Sequence, residues 1–204
     1  MKFFATATVA SFIAAISAMA APLREAVSPN KHTALIQNDD KSYDFIDIQS
    51  REKIGHIFET DQDISNVQFV ASWNDDSSKV ALLMYYGTKL SCILIFKRNS
   101  KGDYIELPFK EPDPVKLYHE SHDSDPFPEN ASGYSNNSVG RWITGDTVEL
   151  FSGETKDNLQ KGTLIVIYDA RIKDNSVSIV NVRLLNLMDD ASAEKFLQKH
   201  GALN

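Results

Sequence analysis

With one cysteine in 204 residues, the chain has no partner for an intramolecular disulfide, so stability must come from a packed core. Basic residues are also in deficit: 21 Lys and Arg stand against 28 Asp and Glu, for a net charge of -7. That balance argues against a nucleic-acid partner, which needs clustered cations on phosphates, and against electrostatic docking on an anionic membrane surface. Beyond residue 20 no apolar run approaches the length needed to span a bilayer. Missing too are the Gly-x-Ser-x-Gly elbow, the Gly-Lys-Ser/Thr phosphate loop, Gly-x-Gly-x-x-Gly after a strand and the His-Glu-x-x-His helix of zinc proteases. Chemistry announced by a local signature is thereby excluded, whereas a Ser, His and Asp set assembled by the fold is not.

What is present begins with an address. Lys2 precedes an apolar run from Phe3 to Ile16, followed by Ala18-Met19-Ala20 and then Ala21-Pro22. A positive start, a short apolar centre and small residues two apart are the features of a cleaved secretory signal. The expectation is a cut after Ala20 and a secreted or periplasmic soluble product, residues 21–204, of single-domain size. Loss of Lys2 makes the mature chain one unit more negative. Asn130-Ala131-Ser132 and Asn136-Asn137-Ser138 fit the N-glycosylation pattern, which matters only in a eukaryotic host.

Periodicity predicts an almost wholly β chain. Strands are expected at Thr33 to Gln37, Tyr43 to Ile48, Lys53 to Phe58, Val67 to Trp73, Val80 to Tyr86, Leu90 to Lys97 and Tyr104 to Leu107. Four more are expected at Val139 to Ile143, Thr147 to Ser152, Thr163 to Asp169 and Ser176 to Leu187. Turn formers separate them, such as Asn74-Asp75-Asp76-Ser77-Ser78 and Lys173-Asp174-Asn175. Cys92 lies inside the run Leu90 to Phe96 and reads as a small buried hydrophobe. One helix is expected, at the C-terminus: Asp189-Asp190 cap it, Ala191 to His200 form it and Gly201 ends it.

Val80 to Tyr86 and Leu164 to Tyr168 are continuously apolar, so both of their faces should be covered. Stacked sheets provide that environment. The fold class is therefore all-β: an antiparallel meander of blade-like four-stranded units, partial propeller-like or β-sandwich, with a short C-terminal helix.

The segment Ala71-Ser72-Trp73-Asn74-Asp75-Asp76-Ser77-Ser78-Lys79-Val80-Ala81 resembles the blade motif of TolB-like and WD40-like β-propeller repeats. It matches at Trp73, Asp76, Lys79, Val80 and Ala81, and departs at Asn74, Asp75 and Ser77, where that motif carries Ser, Pro and Gly. A fainter echo is Arg141-Trp142-Ile143-Thr144-Gly145-Asp146-Thr147-Val148. The resemblance implies three blade-like units, near residues 30–60, 66–108 and 137–187, and an interaction platform rather than an enzyme. Propellers close with four or more blades, so a homodimer completing the ring is one expectation and a self-contained sandwich another.

Residues 109–137 interrupt the pattern with Pro112, Pro114, Pro126, Pro128 and several acids, and read as a long exposed loop. Two functions follow from it. In the first, a non-catalytic binding module presents Tyr118, Phe127 and Tyr134 to a protein or small-molecule partner. In the second, His119, His122 and Asp123 ligate a divalent metal, since neutral imidazole and carboxylate suit zinc or a similar ion, for binding or for hydrolysis.

Overall fold

A computed structural model describes residues 25–38, 42–58, 67–86, 90–121, 135–155 and 163–187. Its strands are β1 (Glu25–Val27), β2 (Thr33–Gln37), β3 (Tyr43–Asp47), β4 (Lys53–Phe58), β5 (Val67–Trp73) and β6 (Lys79–Tyr86). These are followed by β7 (Leu90–Arg98), β8 (Tyr104–Leu107), helix α1 (Pro114–Ser121), β9 (Ser135–Thr144), β10 (Thr147–Thr155), β11 (Thr163–Lys173) and β12 (Ser176–Leu187). They build three four-stranded antiparallel sheets, β1 to β4, β5 to β8 and β9 to β12, each in chain order. All eleven expected strands are present, and β1 is added.

Side-chain alternation decides how the sheets stack. In β6, Val80, Leu82 and Met84 point to the first sheet and pack with Leu35, Tyr43 and Phe45. Ala81 and Leu83 point to the opposite side and pack with Val148, Leu150, Val166 and Tyr168 of the third sheet. The second sheet is thus the middle of three layers, and this is why β6 carries no polar alternation. The layers approach closely: a Cβ added to Gly55 of β4 would lie 2.9 Å from the Tyr104 carbonyl of β8. Cys92 is half-buried and packs at the edge of the core between the first two sheets.

The two tryptophans of the resembling segments occupy equivalent places. Each lies near the end of its sheet's first strand and packs back onto the preceding sheet. Trp73 meets the Phe45 ring edge-on with centroids 5.8 Å apart, while the Trp142 indole N–H donates to the Ser72 carbonyl at 3.1 Å.

The first two sheets also repeat one turn, bond for bond. In the β5–β6 turn Asn74 N–H donates to Lys79 O, Ser77 N–H to Asn74 O, Lys79 N–H to Asn74 Oδ1 and Ser78 N–H to Asp76 Oδ1. In the β1–β2 turn Ser28 N–H donates to Thr33 O, Lys31 N–H to Ser28 O, Thr33 N–H to Ser28 Oγ and His32 N–H to Asn30 Oδ1. The same position is left-handed in both, Ser77 at φ 59° and Lys31 at φ 61°. The β3–β4 and β7–β8 turns correspond similarly through Asp47 and Asn99, whose side chains accept from the backbone two residues on.

Within the expected loop at 109–137, residues 114–121 form a helix, and residues 122–134 lie outside the described residues. Asp113 Oδ1 accepts the Lys116 N–H at 3.0 Å, Pro114 holds the first helical position, and Leu117 N–H closes onto Asp113 O. This is an N-cap with proline where its missing N–H costs nothing, so α1 forms and lies against β10, β11 and β12. The expected helix at 191–200 lies outside the described residues. No helix among the described residues is long and apolar enough to cross a membrane.

Candidate functional site

The chemistry of the described chain concentrates where the second and third sheets meet. β8 is only four residues long and pairs with Ile95 to Arg98 of β7, so the earlier part of β7 has no β8 residue beside it. Side chains take that place. Glu111 accepts the Ile93 N–H at 2.6 Å, while Asn137 gives its own N–H to Ser91 Oγ at 2.9 Å and its side-chain amide to Ser91 O at 2.7 Å. A strand edge whose backbone would otherwise be buried unpaired is satisfied in this way.

Behind Glu111 stand Ser152 of β10 and Tyr168 of β11, their oxygens 3.2 Å apart. Burial raises the Glu111 carboxyl above the usual range, opposed by hydrogen bonds from Ile93, Asn137 and Ser152. Tyr168 is raised as well, first by burial and then by the nearby Glu111, against a hydrogen bond with Ser152. Phe109 stacks over the Tyr168 ring with centroids 6.1 Å apart. The arrangement can hold a proton among neutral dipoles. The Ser152 and Tyr168 side chains are both buried.

A second cluster lies on the face of the first sheet turned away from the second. Asp44 Oδ1 is 2.6 Å from His56 Nδ1 and 2.9 Å from Lys53 Nζ, and Oδ2 accepts from the Asn38 amide at 2.7 Å. Burial alone would raise the Asp44 carboxyl, but bonds from His56, Lys53 and Asn38 outweigh it and hold it below the usual range. Here one carboxylate gathers three donors from β4 and the β2–β3 turn, an arrangement that fixes the imidazole ring of His56.

The residues expected to carry function are distributed unevenly. Tyr118 is buried at 3% exposure against Leu164 and Leu184. The expectation that it faces a partner is therefore corrected: Tyr118, the fifth residue of α1, packs into the third sheet. The backbone of His119 falls in the last turn of α1. Side-chain placement of His119, and all of His122, Asp123, Phe127 and Tyr134, lie outside the described residues. Among the described residues no group of three or more His, Cys, Asp and Glu is placed to hold a metal ion.

Glu111, Ser91, Asn137 and Ser152 carried no sequence signal of joint action, since they are scattered over 62 positions and meet only through sheet stacking. Asp44 and His56 were nearer to legible, being polar positions in adjacent predicted strands. No family model matches the chain, and no curated protein matches its sequence.

Proposed function

We propose that the chain is an exported, soluble, non-catalytic binding module built from propeller-type repeats. The observation that carries this reading is the repeated turn: sheets one and two use the same four hydrogen bonds and a left-handed residue at the same position, and in the second sheet this turn lies in the segment that resembles the blade motif. Repeats of this kind bury their faces on each other and leave their connections to vary, which makes a rigid platform with a divergent binding segment. The connection from β8 to β9 is the divergent one, and its residues Phe127 and Tyr134 are the partner-facing aromatics. Export is consistent with the sheet, because a cut after Ala20 leaves β1 intact.

The test is affinity capture from the organism's exported fraction with the wild type and with a variant carrying Phe127→Ala and Tyr134→Ala. Retention of a defined partner by the wild type and its loss from an equally stable variant supports the reading. Equal retention by both removes these aromatics from the binding surface, and turnover of a substrate by the purified chain overturns the non-catalytic reading.

A divalent metal at His119, His122 and Asp123 is the second reading. It is favoured by α1, which carries the backbone of His119 in its last turn. Elemental analysis of protein purified without chelator decides it: metal retained by the wild type and lost from the His119→Ala, His122→Ala variant supports the site, and identical content in both removes it.

A further inference from the structure

Residues 108–121 form a strap from the end of β8 on the second sheet to the third sheet. Its attachments differ in kind. Phe109 stacks on Tyr168, α1 rests on the third sheet through Leu117 and Tyr118, and Glu111 is hydrogen-bonded to the backbone of the second. The carboxyl therefore sits at the point where the strap joins both layers.

The groups around that carboxyl set its response to pH. From β7 it meets the Ile93 N–H, from β9 Asn137, from β10 Ser152, and from β11 the Tyr168 phenol lies beside it. Tyr85 of β6 borders the same core. On the strap itself the neighbours are Lys110 and Asp113, both turned to solvent. Among the described residues no cation joins the hydrogen bonds to Glu111. The Ile93, Asn137 and Ser152 donors compensate an ionised carboxylate in part, but with no cation beside it burial of the charge outweighs them, a cost that a protonated carboxyl does not bear.

We infer that residues 108–121 are a proton-controlled latch, in which protonated Glu111 holds the strap across the second and third sheets and ionised Glu111 loosens it. Loosening would expose the buried Asn137, Ser152 and Tyr168 side chains beneath the strap. The raised Glu111 carboxyl agrees with this direction, since the folded state then favours the proton.

Hydrogen exchange of the full mature chain, corrected for the intrinsic pH dependence of exchange, reads the latch directly. Segments 90–96 and 108–121 of the wild type should lose protection several-fold between about pH 4 and about pH 8, with segments of the first sheet unchanged. Glu111→Gln, which keeps the shape and removes the charge, should retain the acid-pH protection throughout. Protection that is flat with pH in the wild type, or equally pH-dependent in the Gln variant, overturns the latch. A measurement on the wild type alone guards against a misfolded variant. The Ile93 amide proton shift should titrate with a midpoint above the ordinary glutamate value of 4.5, and a midpoint at or below it also overturns the latch.

Discussion

The side-chain amide of Asn74 donates to the Gly145 carbonyl at 3.0 Å, tying the β5–β6 turn of the second sheet to the β9–β10 turn of the third. The same side chain accepts the Lys79 N–H at 2.9 Å, and Asn74 is fully buried. Its counterpart Ser28 makes only local side-chain bonds, accepting from the Thr33 N–H and donating to Asn30 Oδ1. A residue that closes a turn has become, in one repeat, a bridge between layers. Asn74→Ala leaves the buried Lys79 N–H and the part-buried Gly145 carbonyl without these partners and should cost about 2 kcal/mol, whereas Ser28→Ala should cost about 1 kcal/mol. Urea unfolding of the two variants under identical conditions checks the order. Equal losses would show that the Asn74 to Gly145 bond contributes nothing to joining the sheets.

Gly55 is required by proximity rather than by its own dihedral angles. An added Cβ would meet the Tyr104 carbonyl at 2.9 Å and the Phe45 ring at 3.0 Å, and the backbone oxygen cannot move without shifting β8. Gly55→Ala should therefore destabilise the chain by about 1–3 kcal/mol. Gly145→Ala is the control, since nothing lies within 4 Å of its added Cβ, and it should change stability by less than about 0.5 kcal/mol. Thermal unfolding of both variants tests the contrast.

The two tryptophans share a position but not their polar chemistry. Trp142 donates its indole N–H to Ser72 O, while the buried Trp73 N–H has no hydrogen-bond partner among the described residues. Trp142→Phe should consequently cost about 1 kcal/mol more than Trp73→Phe, beyond the loss of ring area common to both. If chemical denaturation ranks them the other way, the indole N–H of Trp142 is not what fixes the third sheet against β5.

Much of this architecture was legible in the sequence because the two signals that specify it are local. Strand periodicity and turn residues located eleven strands, and the unbroken apolar run of β6 announced a layer covered on both sides. β1 was missed because three residues ahead of Ser28-Pro29 carry too little period to read. α1 is illegible for a different reason: Pro112 and Pro114 read as loop formers, although proline behind Asp113 is equally a helix start. The Glu111 cluster was illegible in principle. Its members lie on five separate segments, and only the shortness of β8, a property of the folded sheet, explains why a glutamate and an asparagine are needed beside β7.

Asp44 gives the first sheet a pH dependence of opposite sign to that of Glu111. Its carboxyl lies below the ordinary value of 3.8 in the folded chain, with burial overcome by bonds from His56, Lys53 and Asn38. The unfolded chain takes up the proton first, so the stabilising contribution is complete above about pH 4 and is lost as pH falls through the lower, folded-state value. Solvent screening limits its size, since the Lys53 side chain is 52% exposed, and about 1 kcal/mol is the expected magnitude. Asp47 and Asp76 are lowered as well, so the difference between wild type and Asp44→Asn is the informative quantity. That difference should be steady from pH 5 to 7 and shrink below about pH 4. A difference constant down to pH 2 would mean that the Asp44 charge is not what holds His56 and Lys53 together.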